Sequence, residues 1–425
     1  MSKLSKQPLV AVLLLLSWWL PGAAGAGPLG PEVLVGNARS SDPNGTPPVA
    51  VAAFADGGFV VVWNAPDTLR ARLFDRHGAP ASGEIPLVRP FGQDLDAVAA
   101  LPNGFVVVWE QQSSQHAVSV YARVFNRSGA PLGPPFKVHG NSSYDRCCGL
   151  VAATPGGGFA VSWSAFAGTP EDSGYTDAVL SRFFDARGRP LGPPPQDPIL
   201  RPSSFPLDLV FPTAAGVGTD GALTTVVYDQ GDQVNLLTQR VDQTGAAVGG
   251  GPVNPSDPDL SDGYWAVLGA AGSAILPAGD FYVAWVSTFA CLPAPHPCTS
   301  FIFAQHFASS GDPVGPPLAV SDHGYATVGG PLLLPLAVLP QGGFLALWNA
   351  IPKPPGPGDF NVGPLFARGF DVHGNAIGEE FQVSFDHGAD AWASALAAGP
   401  AGDALAVWLR ISGRAWSVYA RLLRP

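Results

Sequence analysis

Two histidines stand beside carboxylates in the same tripeptide, Asp322-His323-Gly324 and Asp386-His387-Gly388. An imidazole next to a carboxylate can transfer a proton or ligate a cation near neutral pH. A tripeptide that recurs in a repeat can equally cap a turn. The segment from Asp257 to Gly263 gathers Asp257, Asp259 and Asp262 much as a calcium loop gathers its oxygen ligands, without the full spacing or the distal Glu of an EF-hand. Calcium is therefore the one cofactor the sequence suggests, and it establishes none. Further acids, Asp94, Asp96, Asp145 and Asp390, lie near aromatic residues that include Tyr144, Tyr264, Trp265 and Trp392. Rings interleaved with acids suit a sugar, whose apolar face stacks while its hydroxyls donate to carboxylates. Tyr and Trp anchors also suit a protein interface.

The four cysteines divide into two pairs. Cys291 and Cys298 flank a Pro-rich loop and are expected to form a disulfide. Cys147 and Cys148 are adjacent, so a vicinal disulfide competes with free thiols. No Gly-x-Ser-x-Gly elbow occurs, which removes the usual basis for serine-hydrolase chemistry. No Cys-x2-Cys pair or His-Glu-x-x-His is present for zinc. A paired-carboxylate glycosidase stays open, because a repeat fold can bring acids distant in sequence to one axis.

The elements that would position these residues come from an internal repeat. A Gly-aromatic turn followed by an apolar run occurs seven times: GGFVVVW ending at Trp63, then runs ending at Trp109, Trp163, Tyr228, Trp285, Trp348 and Trp408. Each is followed by a second element of the type ARLFDRHG, with its Arg at Arg72, Arg123, Arg182, Arg240, Arg368 and Arg421 and His306 in its place in the fifth copy. A guanidinium that follows the repeat has a structural role, its stem buried between sheets. A third element, such as PLGPPFKV from Pro131, follows the second in all copies but the last. The missing piece stands alone at the other end of the chain as Gly27 to Val35, so residues 27–36 are expected to close a ring by joining the last repeat. Four strands in each of seven units make a propeller. The GGFVVVW runs are apolar on both faces of the pleat, as a sheet sandwiched between neighbours requires. Short Gly turns join the first strand to the second and the third to the fourth, which trims one rim and leaves the longer connections to elaborate the other. His77 and His373 fall in the short turns.

Lys3 and Lys6, the apolar run from Leu9 to Leu20 and the small residues before Ala26 have the layout of a cleavable secretory leader over residues 1–26. The formal net charge is −11, and losing two lysines with the leader makes it more negative. Such a chain repels phosphate backbones, which excludes nucleic acid as a partner.

The pattern of GGFVVVW, ARxFD and PLG runs resembles repeats of secreted bacterial propeller proteins, including stretches of large calcium-dependent exoproteins and adhesins. That resemblance implies architecture over the mature chain and no particular activity. The expectation is a secreted or periplasmic, monomeric, all-β protein with a single seven-bladed β-propeller over residues 27–425, four antiparallel strands per blade and no membrane span after leader removal. It binds a glycan or an extracellular protein through Tyr144, Asp145, Tyr264, Trp265, His323, His387 and Trp392. The rival reading is a glycan hydrolase or lyase with an axial acid/base site.

Overall fold

Each apolar run becomes the second strand of a sheet because nothing else in its repeat can bury both of its faces. In the first blade Phe59, Val60, Val61, Val62 and Trp63 are all at most 1% exposed. The computed structural model describes residues 26–40, 48–88, 93–112, 118–140, 145–167, 176–192, 210–230, 234–253, 272–289, 299–322, 325–326, 334–349, 363–385, 390–412 and 415–425. These form seven antiparallel sheets, six built on four successive strands and the seventh on three successive strands completed by the N-terminal segment, and no helix occurs among them. Blade one has Val49–Ala53, Phe59–Asn64, Leu69–Phe74 and Ile85–Val88 in that order. The first strands of the following blades are Gln93–Leu101, Asp145–Ala153, Val210–Val217, Gly272–Ile275, Leu336–Val338 and Asp390–Ala398. Each touches the first strand of the next blade, and Asp390–Ala398 touches Val49–Ala53, so they ring the axis without a gap.

Closure uses the N-terminal segment. Gly27–Pro28 and Val33–Ala38 both pair with Ala415–Arg424, the third strand of blade seven. The same segment holds blade one. Asn37 O accepts from Trp63 Nε1 at 3.0 Å, Arg39 N donates to Asn64 O at 2.9 Å, and Val35 is fully buried in the core between blades seven and one. A propeller with this strand in place has no open edge between its last and first blades.

The recurring Arg of the third strand clamps two outer strands at once. Arg123 Nε donates to Gly133 O of its own blade at 2.8 Å, and Nη1 donates to Leu87 O of the preceding blade at 3.4 Å. Arg72, Arg182, Arg368 and Arg421 repeat the arrangement, Arg72 reaching Leu34 O and Arg421 reaching both Gly30 O and Val383 O. A planar fork of donors on a buried stem suits this position. Strand register corrects two alignments made from sequence. Val61 pairs with Arg72, and the matching pairs are Thr225 with Gln239 in blade four and Val283 with Gln305 in blade five. Glutamine, and not Arg240 or His306, therefore takes the Arg position there, and Gln305 Nε2 still donates to Gly315 O at 2.9 Å. By the same register Val227, not Tyr228, occupies the tryptophan position of blade four.

The fourth strand also starts later than the Pro-Leu-Gly run. In most blades that run forms only an isolated bridge, as between Phe125 and Pro131, and pairing resumes at short segments such as Phe136–Lys137. Blade four carries Ala246-Ala247-Val248-Gly249 at this place and forms a continuous strand, Ala247–Val253.

The cores lie between blades. Phe105, Val107 and Trp109 fill the space against Val60, Val62 and Leu69 of blade one. Blades three and four instead meet through a small apolar set around Phe183 and Leu223, with Ser162 Oγ bonded to Ser181 Oγ at 2.8 Å and to Thr225 Oγ1 at 2.9 Å.

Candidate functional site

On one rim five of the third-to-fourth-strand turns are built alike. In blade one Asp75 Oδ1 accepts from His77 N at 2.8 Å and Ala79 N at 2.9 Å, and Gly78 turns the chain at φ 73°. Asn126, Asp185, Asp242 and Asp371 repeat these two acceptances. An Asx side chain satisfying backbone donors in a tight turn is a local structural device. It also explains His77 and His373, which are exposed turn residues or nearly so.

The opposite rim breaks the repeat. The first strands of blades two, three, four and seven change register near their upper ends, between Leu95 and Ala97, Cys147 and Leu150, Pro212 and Ala214, and Ala393 and Ala395. A bulge re-aims side chains, and bulges are common beside active sites. In blade two the extra residue is Asp96. In blades one, two and six the residue after the tryptophan reaches the first strand of the next blade. Asn64 Oδ1 accepts from Leu95 N at 3.1 Å while its Nδ2 donates to Asp94 Oδ1 at 2.9 Å. Glu110 Oε1 accepts from Cys148 N at 2.7 Å, and Asn349 Nδ2 donates to Ala391 O.

Asp96 and Glu110 share a hydrogen bond. Burial, and then the charge of Glu110, hold the Asp96 carboxyl well above the usual carboxylate range. Burial also pushes Glu110 up, opposed by the N–H of Cys148. Both carboxyls are therefore harder to ionise than free ones. Asp96 Oδ2 is sealed from solvent and has no hydrogen-bond partner. Gly149 is required beside it, since a Cβ there would lie 2.8 Å from Asp96 Oδ2 and from Val108 Cγ1. Cys148 has φ 61°, the one positive φ outside glycine among the described residues. Its sulfur is in bonding contact with that of Cys147. Close by, burial brings His139 down to about 4, its Nδ1 lies 2.7 Å from Gly140 O, and buried Arg146 adds positive charge.

The upper rim of blade seven is aromatic. Trp392, paired with Leu409 on the first strand, and Trp416 on the third are both half-buried and meet edge to face at 6.3 Å. Arg410 stacks on Tyr419 at 4.3 Å and pairs with Glu32 of the closing segment at 2.9 Å.

Of the residues singled out by sequence, Trp392 takes a place at the upper end of an innermost strand. Asp145 starts the first strand of blade three, paired with Phe166. Tyr144, Tyr264, Trp265, His323, His387, the acids Asp257, Asp259 and Asp262, and both Cys291 and Cys298 lie outside the described residues. Sequence reasoning missed Glu110, His139 and Arg146. Aligning the residue that follows each tryptophan would have flagged Glu110, which replaces the Asn of blades one and six.

No family model and no curated protein sequence matches the chain. Among solved structures it is similar to the α-L-arabinofuranosidase Arb93A of Fusarium graminearum, with 11% identity, TM-score 0.48, and 94% of this chain and 98% of that one covered. It is also similar to a protein of unknown function from Dyadobacter fermentans, at 11% identity and TM-score 0.47 with 92% and 99% covered. A third similarity is to an α-L-arabinanase of Penicillium chrysogenum, at 10% identity and TM-score 0.45 with 92% and 97% covered. Similarity this remote assigns no ligand, and the functional reading rests on the chain's own upper rim.

Proposed function

We propose that the protein recognises a carbohydrate at its elaborated rim, outside the cytoplasm, after removal of residues 1–26. The observation that carries this reading is the half-buried Trp392–Trp416 pair at the upper end of blade seven, one blade away from the carboxylates of blade two around the ring. An indole face accepts the apolar side of a pyranose or furanose ring, and Asp94 across blade one accepts from hydroxyls. No helix among the described residues is long and apolar enough to cross a membrane. The test is an oligosaccharide panel with calorimetry on each hit. A hit whose affinity falls at least about tenfold in Trp392→Ala, the scale of one binding anchor, supports the reading. Binding that is unchanged in that variant contradicts it.

A second reading, glycan hydrolysis, is favoured by the raised pKa values of the neighbouring carboxyls Asp96 and Glu110. Their shared hydrogen bond leaves no room for a sugar between them, whereas acid and base that flank a glycosidic bond stand about 5 to 9.5 Å apart. The pair would act as a proton store beside Asp94 rather than as the flanking couple. Release of reducing ends from a hit, lost in Asp94→Asn, is the expected result for a hydrolase. An oligosaccharide left intact after prolonged incubation rejects hydrolysis.

A further inference from the structure

The junction of blades two and three places three metal-ligating side chains together. The ligand atoms of Glu110, Cys147 and Cys148 all lie within 4.8 Å of one another. A tetrahedral d10 cation holding sulfur at about 2.3 Å and oxygen at about 2.0–2.2 Å needs ligand atoms roughly 3.4 to 3.8 Å apart. Once the bond between the two sulfurs is broken, they must part by roughly 1.7 Å to meet that requirement, with the Glu110 carboxylate already within reach. Behind Glu110, Asp96 shares a hydrogen bond with it and is buried against Gly149, so the Glu110 carboxyl is held in place from the side away from the two sulfurs.

We propose that Glu110, Cys147 and Cys148 form a redox-gated site for a thiophilic divalent cation such as Zn2+, with Asp96 behind Glu110 as its orienting partner. While the sulfurs are bonded to each other they cannot act as thiolates, and the site is shut. A dithiol reductant opens it: the Cys147–Cys148 bond takes up two electrons and two protons, and the reductant leaves as its own disulfide. Cation binding then releases the two thiol protons as two S–M bonds form, while a Glu110 oxygen supplies the third ligand and water the fourth. The site lies where the first strand of blade three meets the second strand of blade two, so loading it adds a cross-link between neighbouring blades.

The test uses the protein with Cys291→Ser and Cys298→Ser, so that no other thiol competes, and Cd2+ as probe. After reduction by dithiothreitol and its removal under argon, the protein should take up one equivalent of Cd2+ with a thiolate-to-metal absorption band. The oxidised protein should show none. Glu110→Gln, which keeps an oxygen for the Cys148 N–H, should weaken uptake at least about tenfold, the scale on which ligand-sphere changes act, and Cys148→Ser should abolish the band. Circular dichroism checks that the reduced protein stays folded, and a parallel titration in urea sets the affinity of the bare dithiol. No uptake by the folded reduced protein, an affinity no tighter than in urea, or full affinity in Glu110→Gln would each overturn the proposal.

Discussion

The two rims of this propeller are made from the same seven repeats and have diverged in opposite ways. The trimmed rim uses one turn five times over, each with an Asx oxygen accepting from two backbone N–H groups. Its remaining charges are mostly neutralised nearby, as where Arg127 pairs with Asp56 and lies over Phe54, or Arg424 pairs with Asp403 at 2.8 Å. The elaborated rim has bulges in four innermost strands, a carboxyl pair whose pKa values burial raises, and a histidine whose pKa burial lowers to about 4. Uniformity marks where the repeat only has to hold the ring. Buried groups with displaced pKa values mark where it has been modified for something else.

Removing residues 27–38 should damage both rims at once and serves as the upper bound. It opens the third strand of blade seven, uncovers Trp63, and removes the Leu34 and Val35 carbonyls that Arg72 reaches and the Gly30 carbonyl that Arg421 reaches. Loss of a buried Val35 and several backbone hydrogen bonds should cost more than about 3 kcal/mol and promote association through the exposed edge. Denaturant unfolding with light scattering measures both effects.

The next largest effect separates the rims by pH. His139 has its folded pKa depressed to about 4 from 6.5 by burial. The unfolded chain therefore binds a proton that the folded one refuses, and stability is lost as pH falls from about 6.5 towards 4, by roughly 3 kcal/mol at most. The trimmed-rim carboxylate Asp185, whose folded pKa is lowered with burial opposing hydrogen bonds from Arg189 and Arg187, keeps its contribution above the ordinary Asp range and loses it only below. His139→Phe should flatten the melting curve between pH 6.5 and 4 without altering the steeper fall at lower pH. An unchanged slope in that variant would contradict the assignment. Asp96 has the reverse sign. Its raised pKa means stability that is present in acid and lost as pH rises through the folded value, so Asp96→Asn should hold its melting temperature better at pH 8 than the parent protein does.

Smaller still, Asn126→Ala removes an acceptor of two backbone N–H groups in a trimmed-rim turn and should cost about 1 kcal/mol. Replacing His77 or His373 with Ala should stay within about 0.5 kcal/mol, measured by the same unfolding curves.

The ring itself was legible because its signals are local and repeated: a glycine before each apolar run, a run apolar on both faces, and a fragment of the repeat stranded at Gly27. Alignment slipped where a repeat had drifted. In blade four GALTTVVYDQ offers Tyr228 as the visible aromatic, but only the strand register reveals that Val227 faces the core. Histidine 306 misled in the same way, being one place from Gln305. The Asp96–Glu110 pair was not legible because it depends on a bulge that brings a residue of one strand under the next. No pattern along a single strand encodes that meeting. The clamp made by Arg72 and its equivalents was half legible. Recurrence gave the structural role, while its partners are backbone carbonyls of two blades, which no side-chain pattern displays.

The central claim is that recognition belongs to the elaborated rim and that the trimmed rim only holds the ring. Its most direct test is one oligosaccharide panel read with two variants, Trp392→Ala and the double replacement of His77 and His373 by Ala. Both should keep the circular dichroism of the parent. The expected result is that every hit of the parent survives in the histidine variant and weakens at least about tenfold in Trp392→Ala. Hits that survive in Trp392→Ala and vanish when the turns at His77 and His373 are changed would contradict it.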